Sequence, residues 1–184
     1  MSFVHDLTHK LEANREKISE WMAKKRSEVP IPIYGSVDIR DAGWKVAVVD
    51  ANHFPAGFNN TSTEDEEHLA ELLKNHINRK HEGCSWVHLY PESHTRNPGY
   101  VENVATIKRL IELAGFRCTV GSPELEGHGS LDGITGPLSL DTVEIDGEHL
   151  LVEGEKPCLV LLNNDLTEGM VDGLGAHQVS PPPH

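Results

Sequence analysis

Basic residues are scarce in this chain: 16 Lys and Arg stand against 29 Asp and Glu, a net charge of −13. A nucleic-acid backbone calls for clustered cations. The one basic cluster, Lys24-Lys25-Arg26, falls at the expected end of a helix, where cations suit the dipole. The balance therefore argues against nucleic acid as a partner. Long apolar runs are also missing, with none near the ~20 residues of a membrane span. The amino terminus is charged and amphipathic and has no apolar signal core. Cysteine is limited to Cys84, Cys118 and Cys158, each in a strand-like run. An odd, scattered set predicts reduced, buried thiols in a cytoplasmic protein.

Several chemical signatures are absent too. Gly127-His-Gly-Ser130 lacks the Lys and the following helix of a phosphate-binding loop. There is no nucleophile elbow on which Ser/His/Asp hydrolysis could rest. The 12 histidines are scattered. His76 and His81 are five apart, poor spacing for one helical face, and His128 has no Cys or His partner at ligand spacing, so no metal site is predicted.

With 184 residues the chain is long enough for one domain with a sizeable core. Leu7, Leu11, Ile18, Trp21 and Met22 share a helical face, predicting a helix to about Ser27 that Pro30 and Pro32 end. Val37 to Ile39 reads as a short strand and Trp44 to Val49 as a buried one. Thr63-Glu-Asp-Glu66 is a capping box opening a helix with Leu69, Leu72, Leu73, His76 and Ile77 on its apolar side. Ser85 to Tyr90 is the next strand. Asn97 and Pro98 suit the cap and first position of a second helix, which turns Val101, Val104, Ile107, Leu110, Ile111 and Ala114 inward and stops at Gly115. Phe116 to Val120 is a strand, and 121 to 136 is Gly-rich and irregular. Leu140 to Ile145 and His149 to Val152 flank Asp146-Gly147, a hairpin signal. Leu159 to Leu162 is a further buried strand. The order predicts an α/β fold: a mainly parallel sheet with helices on both faces and a small inserted hairpin. Residues 1–178 form the domain, and 179–184 form a Pro-rich tail or truncation point.

Three polar loops follow three apolar strands: Asp50 to Asn60, Glu92 to Asn97, and Asn163 to Asp165. In a parallel sheet such loops gather along the carboxyl edge, where ligands bind. The candidate contacts are Asp50, Asn52, Asn59 and Asn60 in the first loop, Glu92, His94, Arg96 and Asn97 in the second, and Asn163, Asn164 and Asp165 in the third. Asp38 and Arg40, alternating outward from a strand, join them. The second loop enters a helix N-terminus, which favours an anion such as a carboxylate or phosphate, with His94 and Arg96 adding to it. Asn in a loop can also be turn chemistry, and Glu92–Arg96 or Asp38–Arg40 can be weak surface pairs.

The stretches Tyr34-Gly-Ser-Val-Asp-Ile-Arg-Asp-Ala-Gly-Trp-Lys45, Val49-Asp-Ala-Asn-His-Phe-Pro-Ala-Gly-Phe-Asn-Asn60, Pro91-Glu-Ser-His-Thr-Arg-Asn97 and Leu162-Asn-Asn-Asp165 resemble the proteobacterial glutamate–cysteine ligases of the ATP-grasp-like type. The resemblance runs in order along nearly the whole chain, as the N-terminal portion of a longer protein. It implies a three-layer, pre-ATP-grasp-like domain. It also implies glutamate and cysteine as substrates, ATP and Mg²⁺ as cofactors bound beyond Pro181-Pro-Pro-His184, and a γ-glutamyl phosphate on the way to γ-glutamylcysteine, the first step of glutathione synthesis. On this reading Arg40 or Arg96 would take the glutamate α-carboxylate, and Asp50, Asn52, Asn59 and Asn60 the amine and amide-forming end. A homo-oligomer, or a missing C-terminal ATP-grasp domain, is the expected partner. The alternatives are an amino-acid-binding module without catalysis, and a remnant that only folds.

Overall fold

The computed structural model describes residues 3–93, 96–166, 169, 172–175 and 179–182. The chain divides into two compact units, 1–52 and 53–184.

The first unit holds helices α1 (Phe3–Ala13) and α2 (Arg15–Glu28) and a hairpin of β1 (Ser36–Asp41) and β2 (Val46–Asn52). The single predicted helix is broken at Asn14, whose side-chain amide donates to the Lys10 carbonyl. An Asn that bonds the backbone four residues back competes with helix continuation. The larger correction concerns the strand expected to be buried at Trp44 to Val49. Among the described residues it pairs antiparallel with β1 alone, with a bulge between Asp38 and Ile39. Trp44 is 78% exposed and Val48 61%. An apolar run shows that a strand can be covered, but not that a second layer covers it.

The second unit is built on a four-stranded parallel sheet. Its strands are β3 (Trp86–Pro91), β4 (Arg117–Val120), β9 (Leu159–Asn163) and β10 (Val179–Ser180), in the order β10-β9-β3-β4. Val179 and Ser180, read from sequence as tail, thus form an edge strand against Val160 and Leu161. Helices α3 (Glu66–Lys80) and α4 (Pro98–Leu113) pack on each other, and α4 packs on β3 and β4. Asn97 caps α4 as expected, its Oδ1 accepting from the Gly99 N–H at 3.0 Å with Pro98 in the first turn. Val101, Val104, Leu110 and Ile111 are fully buried, each worth roughly 1.5–3 kcal/mol before the ordering cost is subtracted.

The opening of α3 differs from the predicted capping box. Residues Thr63–Asp65 form a 3-10 turn, and the Ser62 hydroxyl accepts from the Glu64 N–H. Glu66 does not reach back to a cap. Its carboxylate is held by the Arg109 guanidinium of α4, at 2.6 and 3.3 Å, and a bidentate charged partner outcompetes a single backbone N–H.

Helices were expected on both faces of the sheet. Among the described residues, the face opposite α4 is instead roofed by the hairpin of β7 (Val143–Asp146) and β8 (His149–Val152), which turns at Gly147 with φ 60°. Val143, Leu150 and Val152 form a core with Trp86, Tyr90, Val160 and Leu162. A short two-stranded hairpin, β5 (Ser130–Asp132) with β6 (Pro137–Ser139), fills part of the Gly-rich stretch. It is tied to α4 through Glu102, whose carboxylate accepts from the Thr135 N–H and hydroxyl at 3.0 and 2.8 Å.

The cysteine expectation is overturned as well. Cys84 and Cys158 are joined in a disulfide across the amino ends of β3 and β9, with Cα atoms 5.6 Å apart. Cys118 alone is free, and it is buried. Neighbouring parallel strands bring together residues 74 apart in sequence, a proximity that spacing along the chain does not reveal.

Candidate functional site

Two of the three polar loops do converge. Pro91 of β3 pairs with Asn163 of β9, so Glu92 and Asn164-Asp165 leave the sheet side by side. The Asn164 side-chain amide donates to the Pro91 carbonyl at 3.3 Å, and its oxygen accepts from the Leu166 N–H at 2.9 Å. Asp165 is exposed and Glu92 half-buried.

Asn163 is 1% exposed. Its Nδ2 donates to the Pro55 carbonyl at 3.0 Å, and its Oδ1 accepts from Asn103 Nδ2 at 3.2 Å. Asn103 Oδ1 in turn accepts from the Phe58 N–H at 2.9 Å. The Tyr100 hydroxyl donates to the Asn163 carbonyl and accepts from the Glu92 N–H, both at 2.8 Å. Burial raises the Tyr100 phenol well above its ordinary value; the Glu92 N–H bond works against that rise, and the charges of Glu92 and Asp165 add to it. This phenol stays protonated and acts as a fixed strut. Together these residues staple the 55–58 loop and the start of the β3–α4 connection to the end of β9.

Tyr100 and Asn103 escaped the sequence reading. Both lie in the apolar run of α4, and Asn103 is fully buried. The available signal was that a polar Asn flanked by Glu102 and Val104 on a core helix must find partners inside.

The first loop reaches this edge only through its far half. Because β2 lies outside the parallel sheet, Asp50 and Asn52 sit on the hairpin of the first unit, as do Asp38 and Arg40, and all four are exposed. Asp38 faces Asp50 across the hairpin, and Asn52 Nδ2 donates to Asp50 Oδ2 at 3.2 Å. Only the far half of that loop, the 3-10 turn Phe58–Asn60 with Asn59 and Asn60, belongs to the second unit. The place beside β3 is taken by Gly121 to Leu125, which follows β4. The Tyr90 hydroxyl donates to the Glu124 carboxylate at 3.0–3.1 Å. A hydrogen-bonded relay runs beneath this loop, from Trp86 Nε1 to Thr119 Oγ1 (2.9 Å), Thr119 to His88 Nδ1 (2.9 Å), and His88 Nε2 to the Gly121 carbonyl (3.0 Å). Since Gly121 O only accepts, the relay places the His88 proton on Nε2. A cleft of about 260 Å³ opens beside Gly121 and Ser122, with His128, Asp141 and Thr142 in its lining.

Arg96 is exposed in the turn before α4, and Asn97 is spent on capping. His94 lies outside the described residues.

Among the described residues, two buried side-chain polar atoms have no hydrogen-bond partner: Asn59 Oδ1 and Ser122 Oγ. Both belong to loops at the carboxyl edge of the sheet. An orphaned buried polar atom costs about 1–3 kcal/mol, and such costs concentrate where a ligand completes the bonding.

For a metal the donor set of the described residues is poor. No group of three or more His, Cys, Asp or Glu capable of holding a metal occurs among the described residues. No helix of the described structure is long and apolar enough to cross a membrane.

The family model described as glutamate-cysteine ligase matches residues 8–184. No curated protein matches the chain. Among solved structures, a protein of Methylobacillus flagellatus KT named for a gamma-glutamylcysteine synthetase is similar, with 32% identity and a TM-score of 0.87. The match covers 97% of this chain and 43% of that one, so the chain spans less than half of that relative's length. With a family match over almost its entire length, the chain belongs to the glutamate-cysteine ligase family.

Proposed function

We propose that this chain is the amino-acid-binding part of an ATP-dependent glutamate–cysteine ligase, which joins the γ-carboxyl of glutamate to the amine of cysteine for glutathione synthesis. The family match over residues 8–184 carries this reading. The described residues hold no metal-ligating cluster for Mg²⁺, and the sequence has no Gly-rich phosphate loop with a following Lys. The nucleotide and metal are therefore assigned to the portion of the ligase that the 43% match leaves uncovered.

The substrate amino acid is assigned to the carboxyl edge of the sheet. Asn59 Oδ1 is a buried acceptor in want of a donor, which a substrate ammonium supplies. Glu92 and Asp165, which leave the paired ends of β3 and β9, favour the same cationic group by charge. Arg96, exposed at the start of α4, is suited to the α-carboxylate, because a guanidinium takes a carboxylate bidentately. Asn163, Asn164 and Asn97, already bonded within the protein, act by positioning these groups. Asn60 remains as a candidate contact on an exposed position of this unit, while Asp38, Arg40, Asp50 and Asn52 are exposed on the hairpin of the first unit.

A second reading has its own support. With 43% of the relative's length and no metal cluster among the described residues, the isolated chain would bind an amino acid without turning it over. One pair of measurements separates the two: calorimetry with glutamate, and γ-glutamylcysteine formation from ATP, glutamate and cysteine. Turnover by a full-length relative together with glutamate binding by this chain supports the ligase reading. Glutamate binding by this chain with no turnover by any extended form supports the binding module. Absence of both overturns each.

A further inference from the structure

The Cys84–Cys158 pair lies at the amino edge of the sheet, opposite the polar loops, and the ligase reading makes no use of it. Cys158 is an exposed residue and Cys84 is half-buried. The two join the starts of adjacent strands with Cα atoms 5.6 Å apart, inside the range a disulfide spans. Both redox states are accommodated at this place. The Trp86 N–H lies 3.2 Å from Cys158 Sγ and would stabilise a thiolate there. The Trp86 carbonyl oxygen lies 2.8 Å from Cys158 Sγ and 3.5 Å from Cys84 Sγ, a ready acceptor for either thiol after reduction. The Arg117 guanidinium lies 4.2 Å over the Trp86 ring, with the Glu153 and Glu155 carboxylates 3.6 and 3.8 Å from it.

We propose that Cys84–Cys158 is a thiol–disulfide exchange site for low-molecular-weight thiols of the cysteine class. The attacking thiolate meets Cys158 Sγ, the sulfur of the more exposed residue of the pair. A new S–S bond forms between the attacker and Cys158, the Cys84–Cys158 bond breaks, and Cys84 leaves as a thiolate. A second thiolate then attacks the small-molecule sulfur of the mixed disulfide. It releases the small-molecule disulfide and leaves Cys158 reduced. Two electrons pass from the two thiols to the protein pair, and the two protein thiolates take up the protons the attackers lost. Folded-state disulfides reachable by small thiols are the labile, sensing kind. Cys118, whose thiol burial pushes far above its ordinary value, serves as an unreactive internal control.

The test incubates the folded chain in cysteine/cystine buffers of graded ratio, quenches with acid, alkylates and maps the peptides by mass. The expected result is reversible interconversion without denaturant. Cys84 and Cys158 are unalkylated at high cystine, both alkylated at high cysteine, and a transient cysteinyl adduct appears on Cys158. The Cys84→Ser chain retains that adduct, the Cys158→Ser chain loses it, and Cys118 stays unmodified throughout. Reduction only after unfolding in urea overturns the proposal, as does free alkylation of both cysteines at high cystine, or an adduct confined to Cys118. Alkylation state is read independently of glutamate binding and turnover, so this outcome and that of the ligase reading remain distinguishable.

Discussion

Replacing Asn163 with Ala tests whether the carboxyl edge of the sheet is a scaffold before it is a site. In the native chain Asn163 makes two side-chain hydrogen bonds, to the Pro55 carbonyl and from Asn103. Truncation removes both and leaves Pro55 O and Asn103 Nδ2 buried without partners. Two bonds at about 1 kcal/mol each, plus about 1–3 kcal/mol for the stranded groups, give an expected loss of about 3–5 kcal/mol. Against a typical total of roughly 5–15 kcal/mol, that is a large share. Asn103→Ala costs a similar amount, since it strands the Phe58 N–H and Asn163 Oδ1. The double variant counts their shared bond once and leaves neither amide facing an empty place. It should therefore fall short of the summed singles by about 2 kcal/mol. Urea unfolding followed by Trp fluorescence reads all three, with Trp86 buried in the core of the same unit. Additivity of the two singles within about 0.5 kcal/mol, or an Asn163→Ala chain of native stability with weakened glutamate binding, refutes the scaffold role.

Other expectations follow from the same bonds. Tyr100→Phe removes the strut between Glu92 and Asn163 and should lower stability by about 2 kcal/mol in the same urea assay. Gly121→Ala would place a Cβ 2.6 Å from the Asp141 carbonyl oxygen and 2.9 Å from Val143 Cγ2. Backbone cannot yield cheaply, so a loss of about 1–3 kcal/mol is expected, visible as a lowered Tm. Bonds from Thr135 hold the Glu102 carboxyl below its usual 4.5. A depressed carboxyl contributes stability above its unfolded value and loses it as pH falls through the folded one. The urea midpoint of the native chain should therefore drop more steeply below pH 4.5 than that of Glu102→Gln. In a full-length relative, Arg96→Ala should raise the KM for glutamate with little change in that for cysteine or ATP. An unchanged dependence on glutamate removes Arg96 from the substrate contacts.

Much of the parallel sheet was legible in the chain itself. Strand β3, the Asn97-Pro98 entry to α4, its buried face and the turn at Gly147 are all local signals. Hydrophobic period, cap chemistry and turn residues act within a few positions, so neighbours in sequence suffice to read them. The family was legible too, because its motifs are long and run in order. Three decisions needed tertiary structure. The Val46–Asn52 strand is as apolar as a core strand, yet which sheet it joins depends on a partner, and that partner is β1. Asn163 was recognised as a polar residue at a strand end. Whether its amide faces a ligand or other protein groups is set by Pro55 and Asn103, 108 and 60 residues away in the chain. Cys84 and Cys158 were read as separate thiols because nothing local pairs residues 74 apart; strand order does. Local physics specifies elements, whereas the contacts that assign roles to polar side chains are long-range and exist only once the sheet has formed.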